Sequence, residues 1–230
     1  MIKAFYTGKT GAISSQANLD IISNNLANIQ NNGYKSQKGE FSDLLYTNMS
    51  QNDGSLMIGT GSKLDKVDSD FSSGAIYPTG LPTDYAINGE GFFGIQVGED
   101  IYYTKSGSFH EGYVDGEKYL MFDDGLVLDN NEEPILLDEV GEDFKVGIYD
   151  FQNKADLELA GGNLFKLTNE DAEFEIMEES EPLQGYLESS NVDLASEMTR
   201  IIKSQRAFQF NTRIIQVADE IEQTVNSLTS

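Results

Sequence analysis

The sequence has no cysteine and one histidine, His110, among its 230 residues. The first absence removes disulfides, thiolate zinc sites, iron–sulfur clusters and cysteine nucleophiles. The second leaves no multi-histidine metal centre. Basic charge is scarce: 15 Lys and Arg stand against 39 Asp and Glu, for a net charge of −24. A surface so poor in cations argues against binding nucleic acid, whose phosphates demand a basic face. It argues equally against an anionic membrane surface. No stretch approaches the roughly 20 apolar residues of a membrane span, so no lipid insertion is expected. The opening MIKAFYTGKTGAISSQ lacks the apolar run of a cleavable signal peptide. By these rules alone the chain reads as a soluble cytoplasmic protein.

What is present divides the chain. Residues 1–35 carry three Lys and one Asp, and residues 186–230 carry four basic and six acidic residues. The two ends are therefore neutral together, and residues 36–185 hold the whole net charge. All four Pro and 19 of the 22 Gly also lie in 36–185. The middle reads as short strands separated by turn residues: YAIN 85–88, FFGIQV 92–97, IYYT 101–104, KYLMF 118–122, GLVLD 125–129, FKVGIYDF 144–151, NLFKLT 163–168 and EFEIM 173–177. Asp115-Gly116 and Asp124-Gly125 sit at hairpin distance. The reading is an α+β protein: a mainly antiparallel β domain flanked by terminal helices that pair like a coiled coil. Its segments are 1–35 (helical), 36–70 (extended linker or arm), 71–185 (β-rich outer domain) and 186–230 (one long helix after a Pro182–Gly185 turn).

The ends carry heptad seams. From Phe5, the positions Gly8, Ala12, Ser15, Leu19, Ile22, Leu26 and Ile29 follow at alternating spacings of three and four. Its first half is small and its second half large. At the other end Leu194, Ile201, Phe208 and Ile215 repeat every seven, with Met198 and Gln205 between them. Beyond, the seam shifts to Ile214, Ala218, Ile221, Val225 and Leu228. Gly8 and Gly11 are poor helix formers, and a lone helix of this kind is marginal, so both ends need partners. Asn24, Asn25 and Asn28 are unusual in a helix interior. A buried Asn in a seam can set register and oligomer state. Gly33 is expected to end the first helix as its C′ glycine.

Chemistry is thin by comparison. Gly8-Lys9-Thr10 imitates a phosphate loop but lacks the earlier glycine and the preceding strand. Gly89-Glu90-Gly91 has no following helix and reads as a turn. Asp123-Asp124-Gly125 and Asp129-Asn130-Asn131-Glu132 lack the alternating ligand spacing of a calcium loop. The middle's 32 acids leave one alternative function: an acidic secreted, carbohydrate-directed enzyme or binding module using paired carboxylates. No local signature singles out a pair. No catalytic residue, metal or cofactor is assigned.

The motifs carry a resemblance along the whole chain. SNNLANIQNNGYK 23–35 with FSDLL 41–45, and LQGYLESSNVDLASEMTRIIKSQRAFQF 183–210, resemble the two terminal signatures of the flagellar axial proteins (rod, hook and hook-associated). IGTG 58–61, INGEGFF 87–93, YTKSGSF 103–109 and GGNLFKLT 161–168 resemble β-domain landmarks of the distal and proximal rod proteins. The resemblance implies a structural rod subunit and no enzyme. Its terminal helices would pack in the inner tube of a hollow helical polymer, with the β domain outside. Implied partners are copies of itself, other rod and hook proteins, and the flagellar type III export apparatus, which would carry the chain unfolded. Asn24, Asn25, Asn28 and Gly33 match the N-terminal motif; Ser190, Asn191, Val192, Glu197, Gln205 and Arg206 match the C-terminal one. Asn31 replaces a common Thr, Phe208 a common Tyr, and the segment from Leu45 to Gly59 is short for a distal rod protein.

Overall fold

A computed structural model describes residues 2–44, 47–50, 55–137, 145–168, 174–176 and 182–229. They form two compact units. The architecture is α+β, an antiparallel β region bracketed in sequence by two helices that pair with each other.

The first unit comprises Met1–Ala27, Gln37–Asp70 and Val192–Ser230. It contains α1 (Ile2–Ala27), β1 (Gln37–Asp43), β2 (Thr47–Ser50), β3 (Ser55–Ile58), β4 (Ser62–Ser69) and α2 (Leu194–Thr229). β1 pairs antiparallel with β4, and β2 with β3. A bulge between Glu40 and Phe41 breaks the β1 register. Charged side chains line this ladder, with Lys66 bonded to both Glu40 and Asp68. Polarity of this kind left 36–70 legible only as an arm.

Both helix boundaries differ from the sequence reading. α1 stops at Ala27, so Asn28, Ile29 and Gly33 lie in turns beyond it. The Asn28 side chain accepts a hydrogen bond from the Asn31 amide at 2.7 Å, and its carbonyl accepts one from the Asn31 N–H at 3.1 Å. Local side-chain bonds of this sort compete with a helix. α2 starts at Leu194, not near Tyr186. Asp193 caps it, its Oδ1 accepting the Ala195 N–H at 3.1 Å.

The second unit comprises Asn28–Ser36 and Phe71–Asn191. Its strands are β5 (Ile76–Pro78), β6 (Tyr85–Ala86), β7 (Phe92–Val97), β8 (Asp100–Thr104), β9 (His110–Val114), β10 (Glu117–Phe122), β11 (Gly125–Val127), β12 (Ile148–Phe151), β13 (Leu157–Gly161), β14 (Leu164–Leu167), β15 (Phe174–Ile176), β16 (Leu183–Gln184) and β17 (Tyr186–Glu188). A main sheet runs β13-β14-β8-β7-β11-β10-β9, and β12 joins β7 to β15. Strand alternation sends Phe93 and Ile95 to a core with Phe109, Leu120, Val127 and Ile148. Phe92 goes to the opposite face, with Tyr103, Tyr149, Phe151 and Phe165. β7 is buried on both faces, which is why it reads as a near-continuous apolar run.

Asp115-Gly116 makes the β9–β10 turn, both residues at positive φ. The β10–β11 turn is Asp123-Asp124, one residue earlier than expected, because Gly125 already pairs with Phe122. Asp123 takes the left-handed conformation there. His110 opens β9 and is exposed. Residues 144, 173 and 177 of the expected strands lie outside the described residues, as does Leu45.

Lys35, Lys105 and Glu188 are buried in this unit. Glu188 Oε1 accepts from Lys35 Nζ at 2.8 Å and from the Gly74 N–H at 2.6 Å. Lys105 donates to the Gly89 carbonyl at 2.8 Å and sits 5.6 Å from the centre of the Phe92 ring. Burial drives the Lys105 ammonium down to about 8; Glu188 and Asp150 oppose that shift and Lys35 adds to it. The folded unit therefore releases this proton before the unfolded chain does. Between about pH 8 and the ordinary lysine value of 10.5, stability should rise with pH, by on the order of 3 kcal/mol in total. Lys105→Met should lack this gain. Thermal unfolding of both chains from pH 7 to 10.5 checks it, and parallel curves would refute it.

The candidate assembly surface

α1 and α2 lie antiparallel, as four contacts running in opposite numerical order establish. A Cβ at Gly8 would meet Ile215 at 3.2 Å, and one at Gly11 would meet the Asn211 amide at 2.8 Å. Asn18 Nδ2 donates to Ser204 Oγ at 2.5 Å. Asn25 Nδ2 donates to Glu197 Oε1 at 3.3 Å. The seam on α2 is Glu197, Ile201, Ser204, Phe208, Asn211, Ile215 and Ala218, all buried or half-buried. Those positions alternate by four and three, a continuous heptad.

A second face of α1 holds the strands of this unit. Ser14 Oγ donates to the Ser62 carbonyl at 2.8 Å, and Thr10 Oγ1 to the Thr60 carbonyl at 3.4 Å. Asn25 is fully buried and clamps the start of β1: its Oδ1 accepts the Gln37 N–H at 2.8 Å and its Nδ2 donates to the Gln37 carbonyl at 2.9 Å. Arg200 Nη1 bonds Glu197 Oε1 at 2.7 Å. One side chain thus ties α1 to both β1 and α2.

The residues expected to assemble fall into three groups. Gly8, Ile22, Asn25, Val192 and Glu197 are buried in the first unit, with Ala12, Ser15, Leu19, Leu26, Ile201, Phe208 and Ile215 half-buried there. Phe5, Asn24, Leu194, Met198, Gln205 and Arg206 are exposed. Asn28, Ile29, Gly33 and Asn191 belong to the second unit. There, Asn191 Oδ1 accepts the Ser36 N–H at 2.7 Å, and the Gly33 N–H donates to the Glu188 carbonyl at 2.8 Å. The intrachain seam passes through Ser204 and Asn211, not through Met198 and Gln205. Gly11, Asn18, Ser204 and Asn211 were missed because an apolar pattern search skips them. Their spacing of seven, 11-18-25 against 197-204-211, was the available signal.

The consequence is a mixed distribution of polarity. Glycine, serine and asparagine share the contact between the helices with Ile201, Phe208 and Ile215, while other large apolar residues point outward. Ile13 is 58% exposed, Ile202 53%, Phe210 69% and Leu228 81%, with Met198, Ile214, Val217 and Ile221 also exposed. Ala4, Phe210, Ile214, Val217, Ala218 and Ile221, with Arg213, line a largely apolar groove of about 380 Å³. Scattered apolar residues on a surface are ordinary, but a contiguous stripe marks a contact surface.

Asp129 spends its carboxylate on its own loop, Oδ1 accepting the N–H groups of Asn131 and Glu133 at 2.7 and 3.0 Å. Among the described residues no three His, Asp or Glu are grouped to hold a metal. No helix among them is long and apolar enough to cross a membrane.

Paired terminal helices with outward apolar residues, together with a β unit, define a structural class of protein. Three families match in sequence order: "Flagella basal body rod protein" over 5–35, "Flagellar hook protein FlgE/F/G D1 domain" over 86–149, and "Flagellar basal body rod FlgEFG protein C-terminal" over 183–228. The chain belongs to the flagellar basal-body rod protein family, whose members are structural proteins and not enzymes. It is 32% identical to the flagellar basal-body rod protein FlgG of Borreliella burgdorferi, over 99% of each chain. It is also 32% identical to FlgG of Caulobacter vibrioides over 100% of each chain, and 31% identical to FlgG of Bacillus subtilis over 99% of each. The first alignment runs over 268 positions against 230 residues here, so the relative has segments this chain lacks. Location in the flagellar basal body and assembly with other axial proteins follow at the level of the family.

Proposed function

We propose that this chain is a rod subunit that polymerises through α1 and α2 into the axial drive shaft for motility. Copies of itself and neighbouring rod and hook proteins would cover the outward stripe, with the β unit facing away from the axis. The chain would leave the cytoplasm unfolded through the flagellar type III apparatus. The supporting observation is the outer face of the helix pair: Ile13, Met198, Ile202, Phe210, Ile214, Val217 and Ile221 stay exposed although polar residues occupy part of the seam. Charge supports the same arrangement. The terminal segments are together neutral, so many copies can crowd an axis, whereas segments carrying −24 could not. Heterologous contacts that do not close give filaments.

Phe210→Asp with Ile214→Asp should abolish rod assembly and motility while leaving the unfolding of the β unit unchanged. Electron microscopy of basal bodies from a deletion strain complemented with this variant reads the result. Truncated structures without a hook are expected, and their length separates a proximal from a distal subunit. Complete, working flagella would sink the reading.

A further inference from the structure

Three layers of the helix seam, seven residues apart, are polar or are shaped around a polar side chain. Asn25 faces Glu197, Asn18 faces Ser204, and Asn211 enters the space left by Gly11. Glu197 is buried, and its second oxygen, Oε2, has no hydrogen-bond partner. A seam chosen for strength alone would place leucine at such positions. We infer that these layers are specificity-determining: they admit one antiparallel register of α1 against α2 and reject the neighbouring heptads.

Slipping the helices by one heptad shows what would be lost. In one direction Asn211 meets Asn18 instead of Gly11, and Glu197 travels past Ala27, the last residue of α1. In the other direction Ser204 meets Gly11, and Asn25 is left opposite a position before Leu194, where α2 has not begun. Either slip parts Glu197 from Asn25. The first slip therefore strips a buried carboxylate of one of its two donors, an expensive loss in a poorly solvated seam; the second brings Asn18 to Glu197 but takes Asn18 from Ser204 and leaves the buried Asn25 without the carboxylate. Asn25 cannot follow, because both ends of its amide are fixed on Gln37. An all-apolar seam has no such memory, since one heptad resembles the next. A slip also moves the outward stripe of α2 along α1 by about 10 Å. A fixed register matters for that reason, and this part of the argument rests on the assembly reading above.

The absence of cysteine makes the test direct. Ser15→Cys paired with Phe208→Cys reports the native register, and Ser15→Cys with Ile201→Cys or Ile215→Cys reports the two slips. In the full-length chain, oxidation should link 15 to 208 at least tenfold more than to 201 or 215. In a chain also carrying Asn18→Leu, Glu197→Leu, Ser204→Leu and Asn211→Ala, helix content by circular dichroism should hold or rise. One slipped link should then come within threefold of the native one. Exchanging the partners, Asn18→Ser with Ser204→Asn, keeps the layer polar and should keep the single register. A leucine chain that still links only at 208, or that loses its helix, would overturn the inference. So would a parent chain that links at all three positions. A parent with one register that never assembles into a rod would instead refute the polymer reading and leave this one standing.

Discussion

Glu188→Leu should cost the β unit on the order of 4 kcal/mol, and Lys35→Met clearly less. The two side chains are almost fully buried, 2.8 Å apart, and Lys35 also donates to the Ser72 carbonyl at 2.9 Å. Removing either partner strands an ion that water cannot reach. The asymmetry comes from Lys105, whose interaction with Glu188 is a stabilising one. Without Glu188, two mutually repelling buried ammonium groups lose their shared carboxylate; without Lys35, Glu188 keeps a cation nearby. Lys35→Met with Glu188→Leu should recover much of the loss, because an apolar pair needs no solvation. Chemical unfolding followed by tyrosine fluorescence reads this unit, which holds Tyr103 and Tyr149 in its core. Equal losses from the two single changes would show that Lys105 does not share Glu188.

Gly33→Ala should be similarly damaging, by about 3 kcal/mol or more, through two separable causes. Gly33 has φ +67, and an added Cβ would stand 2.4 Å from the Ser106 nitrogen and 2.5 Å from the Lys105 carbonyl carbon. The first cause is the left-handed conformation, about 1–2 kcal/mol for a residue with a side chain. The second is overlap with backbone that a side-chain rotation cannot relieve. Gly80 isolates the first: its φ is +73 with nothing within 4 Å of an added Cβ. The difference between Gly33→Ala and Gly80→Ala in unfolding free energy measures the overlap alone. Similar losses at both sites would mean that the approach to Ser106 relaxes freely. The glycine of the NNGYK motif is thus required by the fold of the β unit, and not as the cap of α1.

The same residue marks a boundary between local and distant information. An apolar run made FFGIQV legible as β7, because a strand buried on both faces needs no alternation. The terminal helices were legible from heptads, and the charge split separated them from the acidic middle. Their ends were not, because Asn28, Asn31 and Asp193 stop or start a helix through side-chain bonds that an apolar period does not register. Strands β1 and β4 were hidden by their charged faces, which pair across the ladder instead of packing into a core.

By itself the sequence determined an α+β chain with neutral helical ends, an acidic β-rich middle, the family to which it belongs, and no equipment for thiol or histidine chemistry. Each of these depends on composition, order or periodicity, which are local properties. Only the tertiary structure decided which face of each helix turns inward. That choice placed Gly11, Asn18, Ser204 and Asn211 in the seam beside Ile201, Phe208 and Ile215, since close approach and paired hydrogen bonds offset the loss of apolar content there. It turned Phe210 and Ile202 outward and joined Lys35 to Glu188 across 153 residues of chain. Such pairings are set by three-dimensional proximity, which periodicity along one helix does not encode.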